Sequence, residues 1–183
     1  DVMSRVHPFG WHANIQLDGR ELPQWEGAIR SLPGKFVIDH VGKYLEPVAP
    51  EADAFRSLLR LLDTGRCWVK LSAPYETSKT GAPKYDDVGR LAKALVKHAP
   101  ERMLWASNWP HPSEPRDNPP DDADLLDLLL DWAPDEAVRS THDEPGRIRG
   151  GHAEATSVPV SFARYSVNVA ASAVPGSPPF DHW

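Results

Sequence analysis

His40 is the residue whose chemistry is easiest to state. It ends a short apolar run, Phe36-Val37-Ile38-Asp39-His40, and Val41-Gly42 follows it. An imidazole in such a place can bind a metal, carry a proton or polarise a carbonyl near neutral pH. It can equally be a structural histidine bonded to a backbone carbonyl. Asn108 ends another run and is followed by Trp109-Pro110-His111-Pro112. Its amide donates and accepts hydrogen bonds but cannot take up a proton as a carboxylate does. His111, held between two prolines, can reach a substrate or simply bond its own loop. A third run ends in Ser72 and leads into Ala73-Pro74-Tyr75, with Lys70 placed either inward as an anion contact or outward toward solvent. In a fourth run His12, Asn14 and Gln16 share one face of an alternating pattern. A polar lining explains that face better than a solvated one, because both faces of a parallel sheet are normally covered.

The elements that must position these residues are four strand-like runs, at residues 12–17, 36–40, 67–72 and 103–108. Each is followed by a helical pattern. Leu22, Trp25, Ile29 and Leu32 repeat at helical spacing and stop at Pro33-Gly34. Phe55, Leu58, Leu59 and Leu62 form a wide apolar face that ends near Thr64-Gly65, and Val88, Leu91, Leu95 and Val96 form another ending at Pro100. Asp121-Asp122 can cap a last segment from Leu125 to Trp132, with a further short helix expected over residues 134–139. The strand starts lie about 24, 31 and 36 residues apart. Strand–helix alternation at that spacing predicts parallel βα units, whose ligands gather at the C-terminal ends of the strands.

The bulk properties narrow the function. The chain has 183 residues, 40% hydrophobic and 25% charged, with a formal charge of −6 and pI near 5.7. An acidic chain without a Lys/Arg cluster offers no footing for nucleic acid. No apolar stretch approaches the roughly 20 residues that span a bilayer, and the first residues do not read as a secretory signal, so a soluble cytoplasmic protein is expected. The one cysteine, Cys67, lies in an apolar run and reads as a buried inert thiol, in keeping with a reducing compartment. Nucleotide-binding glycine loops, GxSxG and HExxH are all missing, and no two histidines have metal-ligand spacing on a strand.

Three stretches, Val37-Ile38-Asp39-His40-Val41-Gly42, Val69-Lys70-Leu71-Ser72-Ala73-Pro74-Tyr75 and the one from Met103 to Pro112, resemble the amidohydrolase-related family of metal-dependent hydrolases. Within it the likeness is to the 2-pyrone-4,6-dicarboxylate lactonase group. Gly10-Trp11-His12 and Pro120-Asp121-Asp122 fit the same pattern, so the likeness covers about residues 9–139. It implies a TIM (β/α)8 barrel, of which these four βα units would be strands five to eight. It also implies a hydrolase acting on a lactone, amide or similar carboxylate compound. His40 then matches a residue that polarises the substrate carbonyl, or binds zinc or manganese in metal-dependent members. Asn108 stands where the family usually has an aspartate that activates water. Gln16 and Ser72 would line the pocket, and Trp109 and His111 would lie in the closing loop. The family's strand-one His-x-His pair has no counterpart in these residues. Glu76 stands near the place of a carboxylate-binding arginine, which argues against a dicarboxylate ligand.

About four units are too few for a complete barrel, which takes about 250 residues. The alternatives to an enzyme are therefore a catalytically silent half-barrel and a small-molecule binding module. Half a barrel leaves open edges, so self-association is expected. Residues 140–183 carry no sustained period and read as an irregular tail, with weak strands conceivable at residues 158–162 and 165–169 but nothing tying them to the βα pattern. Where the family has an Asn-Pro-Ala turn, this chain has Asp143-Glu144-Pro145-Gly146. The codons GAC GAA CCC GGC would give Thr-Asn-Pro-Ala one base later, so the tail can be read as an out-of-frame translation. The gene's nucleotides decide that point.

Overall fold

The computed structural model describes residues 2–136 and the backbone of residues 166–170. A short helix α1 (Val2–Val6) leads into β1 (His12–Gln16). The chain then alternates through α2 (Leu22–Ser31), β2 (Phe36–Ile38), α3 (Asp53–Leu62), β3 (Cys67–Leu71), α4 (Asp86–His98), β4 (Met103–Trp105) and α5 (Asp122–Trp132). The expected strands and their helices are all present. The strands end one to three residues earlier than the apolar runs do, because the backbone leaves the extended path at their C-terminal ends. None of the described helices is long and apolar enough to cross a membrane.

All pairings are parallel, and the first four strands are neighbours in chain order. Alternation sorts each strand's side chains into two sets. Ala13 and Ile15, Phe36 and Ile38, Cys67, Val69 and Leu71, and Met103 face the core with α2 to α5. Phe55, Leu58 and Leu61 from α3 and Leu91 and Leu95 from α4 are essentially sealed from solvent there. The other set, Val37, Trp68 and Leu104, forms a separate small cluster on the opposite face. Among the described residues, helices α2 to α5 pack on one face of this parallel sheet. A doubly wound sheet would place helices on both faces.

The local reasons for the helices are conventional. The Asp121 carboxylate accepts from the Ala123 N–H at 2.7 Å, the expected cap of α5. Helix α4 carries Asp86 and Asp87 in its first turn and Lys97 and His98 in its last, complementing its dipole. Glu26 of α2 takes a two-pronged contact from Arg60 of α3, and Arg66 donates to the carbonyls of Arg30, Leu32 and Gly34. Cys67 is fully buried, and burial pushes its thiol far above the usual range.

One expectation is corrected. Residues 140–183 are not wholly irregular: β5 (Ser166–Ala170) pairs with β1 in parallel, from His12↔Ser166 to Gln16↔Ala170. The sheet order is thus β4-β3-β2-β1-β5. A strand edge presents unpaired N–H and C=O groups, and five consecutive pairings satisfy them at β1. The weak-strand reading at residues 158–162 and the reframed turn at 143–146 lie outside the described residues. Pro134 and Asp135 are not helical, and residues 137–139 also lie outside.

Removing residues 140–183 should therefore expose β1. Sedimentation at increasing concentration should show the shortened chain associating more strongly than the full one. Identical behaviour of the two would mean that β5 does not protect that edge.

Candidate active site

The C-terminal ends of β1 to β4 come together at one edge of the sheet, and polar side chains gather there. Asp39, just past β2 and 7% exposed, is the hub. One carboxylate oxygen accepts from the Asn14 amide of β1 at 2.7 Å; the other pairs with the Lys70 ammonium of β3 at 2.8 Å. Lys70 thus points inward, as an ion-pair partner. Asn14 and His12 are buried on the same face, which is a polar lining and not a solvated surface. Burial lowers the pKa of His12, and Lys70 and Lys35 lower it further against the opposing charge of Asp39.

His40 follows immediately. Its Nδ1 lies 2.9 Å from the Ser72 hydroxyl of the β3 end, and both residues are buried. Burial is the chief cause that pulls the imidazole pKa below 6.5; Asp39 and Glu76 oppose the shift, and Lys43 and Lys70 reinforce it. A small recess walled by His40, Val41, Tyr44, Val88 and Leu91 supplies the apolar surroundings. The backbone is left-handed at both His40 (φ 54°) and Val41 (φ 55°). For a β-branched residue this is unusual, and such conformations cost of order 1–3 kcal/mol each unless the surroundings impose them. Gly42 (φ 89°) completes the turn, where a Cβ would collide with the Tyr44 ring.

A second group comes from the loops after β3 and β4. The Asn108 amide donates to the Tyr75 hydroxyl and to Glu76 Oε1, both at 3.0 Å. Glu76 Oε2 pairs with Lys43 at 2.8 Å. The Tyr75 hydroxyl also lies 2.8 Å from His111 Nδ1, and His111 Nε2 lies 3.2 Å from Asp122. Burial is the main reason the Tyr75 hydroxyl is pushed up to about 12, so it stays protonated near neutrality. The loop that follows is clamped from α4. Burial alone would raise the Asp87 carboxyl, but hydrogen bonds from Ser78, the Lys79 N–H, Thr80 and the Val88 N–H bring it to about 2.

The amidohydrolase family profile matches residues 1–141. The chain belongs to the amidohydrolase family. It is 37% identical over 139 residues to a D-galactarolactone isomerase of Agrobacterium fabrum, covering 75% of this chain and 47% of that protein. It is 32% identical over 143 residues to a 2-pyrone-4,6-dicarboxylate hydrolase of Comamonas testosteroni, covering 73% and 46%. A ligand-free crystal structure of an Agrobacterium tumefaciens protein superposes with TM-score 0.70 at 36% identity, covering 75% of this chain and 48% of that one. The resemblance read from the strand-end motifs is borne out. The chain spans about half the length of the curated relatives it matches.

Of the residues singled out in the sequence, His40 and Ser72 meet directly, and Asn108 and His111 meet through Tyr75. Gln16 is half-buried at the end of β1, and Trp109 is 76% exposed, so neither joins these contacts. Sequence reasoning did not assign Asp39, Lys43, Tyr75, Glu76 or Asp122 to the site. Asp39 and Lys70 carried a signal, as opposite charges near the ends of neighbouring strands. Glu76 carried only its place near the family's carboxylate-binding arginine, and Lys43 carried none, since the two meet only through two turns.

The donor set does not fit a divalent metal by itself. Zinc takes three or four His, Cys or carboxylate ligands, and no group of three such residues converges among the described residues. His40 has one nitrogen beside Ser72, and Asp39 is engaged by Lys70 and Asn14.

The depressed pKa of His40 has a consequence for stability. The unfolded chain takes up a proton on this residue as pH falls through 6.5, while the folded chain resists it. The free energy of unfolding should therefore decline below about pH 6.5, by at most about 1.4 kcal/mol per unit from this group. His40→Gln should flatten that decline in denaturant titrations between pH 7 and pH 5. An unchanged slope would mean that His40 is not held neutral.

Proposed function

We propose that the strand ends form part of a lactone-opening site, in which His40 polarises the carbonyl and Asn108 orients the attacking water. On this reading β1 to β4 are strands five to eight of an eight-stranded barrel. Gln16, Ser72, Trp109 and His111 lie toward the substrate, a small carboxylate compound carrying an ester-like carbonyl. The observation that carries the reading is the pairing of His40 with Ser72: a buried imidazole of lowered pKa, held at one nitrogen, in a chain whose relatives are named for lactones and a pyrone. If the Ser72 hydroxyl donates to Nδ1, the remaining proton sits on Nε2. A neutral donor placed there stabilises negative charge as it develops on the carbonyl oxygen, and such donors supply several kcal/mol.

A second reading is favoured by the chain's span, which is about half that of its relatives. In it the half-barrel is silent alone and acts only beside a second segment or a second copy that completes the wall. Parallel strand edges are the surfaces through which such association would occur.

The test is turnover of D-galactarolactone and 2-pyrone-4,6-dicarboxylate by the purified full chain, followed by product NMR. Ring opening that His40→Ala lowers by about 100-fold or more supports the first reading. Ring opening that survives His40→Ala removes His40 from the chemistry, and no ring opening with either compound favours the second reading.

A further inference from the structure

The amide of Asn108 can hold a water but cannot accept its proton, so a lactone-opening site built on it needs a base elsewhere. One carboxylate lies against that amide. Glu76, on the turn after β3, receives the Asn108 Nδ2 donor on Oε1 at 3.0 Å. Its Oε2 meets the Lys43 ammonium at 2.8 Å, and the side chain is only 8% exposed. Three separate segments therefore converge on this one group: the turn at Pro74–Glu76, Lys43 after the His40–Gly42 turn, and Asn108 after β4. A carboxylate has roughly four acceptor positions, and the contacts with Asn108 and Lys43 engage one on each oxygen. Lys43, the partner of Glu76, donates its backbone N–H to the His40 carbonyl at 2.7 Å, which places the base and the polarising group in one neighbourhood.

Resting on the lactone reading, we propose that Glu76 is the proton acceptor of the ring-opening step, with Asn108 and Lys43 as its positioning residues. The oxygen of a water held at Asn108 attacks the lactone carbonyl carbon as one of its protons passes to the Glu76 carboxylate. The carbonyl π pair moves onto the carbonyl oxygen, which His40 stabilises. When that pair returns, the ring C–O bond breaks and Glu76 delivers its proton to the departing alkoxide. The products are a free hydroxyl and a carboxylic acid, and Glu76 is regenerated without any further reactant. Glu76 then serves as base and acid in turn, as a single carboxyl group can.

The test uses the full chain with D-galactarolactone and measures kcat and KM across pH 4 to 9. Glu76→Gln keeps the size of the side chain and an oxygen for Asn108. It should lower kcat by about 100-fold or more, leave KM within about threefold, and abolish the acidic limb of the profile. Adding Asn108→Asp to that variant places a carboxylate across the same contact and should recover at least about tenfold of the loss, with the acidic limb restored. If circular dichroism shows Glu76→Gln unfolded, Glu76→Asp keeps the charge for Lys43; it should lose about tenfold or more in kcat and retain the acidic limb. Turnover that needs His40 but is indifferent to Glu76 overturns this assignment and leaves the lactone reading standing. Loss in Glu76→Gln with the acidic limb intact and no recovery by Asn108→Asp makes Glu76 a structural clamp and also overturns it. A wild-type chain that opens no lactone overturns both.

Discussion

A carboxylate buried at the edge of a parallel sheet is costly unless it is paired, and Asp39 is paired twice. Asn14 and Lys70 reach it from the strands on either side, so one residue ties the ends of β1, β2 and β3 together. Removing one member of such an arrangement leaves a buried charge uncompensated, which is strongly destabilising. The left-handed turn that begins at His40 starts from this anchored point. His40 is therefore placed by the strand behind it and by Ser72 beside it. The Tyr75, Glu76 and Asn108 group stands next to it on the following two loops, with Asp87 fixing the segment beyond.

Electrostatics divides the site into two kinds of position. On the inner face, burial dominates and keeps His12 and His40 from charging. Opposite charges are matched beside it: Lys70 with Asp39 at the strand ends, and Lys43 with Glu76 on the loops. Farther from the strand ends, the Trp68 ring lies between Lys35 and Arg102, at 5.1 and 4.5 Å from its centroid. Cation–π contacts of this kind pair charge with apolar surface at the opposite end of the strands from the site.

Much of the scaffold was legible in the amino-acid sequence, because period-2 and period-3.6 patterns report directly on burial. Phe36-Val37-Ile38 announced a strand covered on both faces, and Asp121 announced the start of α5. His12, Asn14 and Gln16 announced a polar face, although Gln16 meets neither His40 nor Asn108. The limits were physical. The strands stop before their apolar runs do, since left-handed turns at His40, Ala73 and Asn108 leave no periodic trace. The contact of Glu76 with Lys43 and Asn108 spans more than 30 residues of chain and depends on how two turns lie against each other. The pairing of β5 with β1 escaped because a five-residue strand in an aperiodic stretch has no helical sequence pattern beside it to mark it. Trp109, which its motif puts in the closing loop, stands largely in solvent.

In the proposed site His40 presents a neutral N–H to a carbonyl oxygen at the ends of the strands. Nitrogen NMR of the full chain with labelled histidine, titrated with a five-membered cyclic phosphonate that mimics the tetrahedral adduct of a lactone, tests it most directly. His40 Nε2 should carry a proton at neutral pH, its resonance should shift on saturation, and Ser72→Ala should weaken that shift. A saturating phosphonate that moves other resonances and leaves His40 unchanged would contradict it.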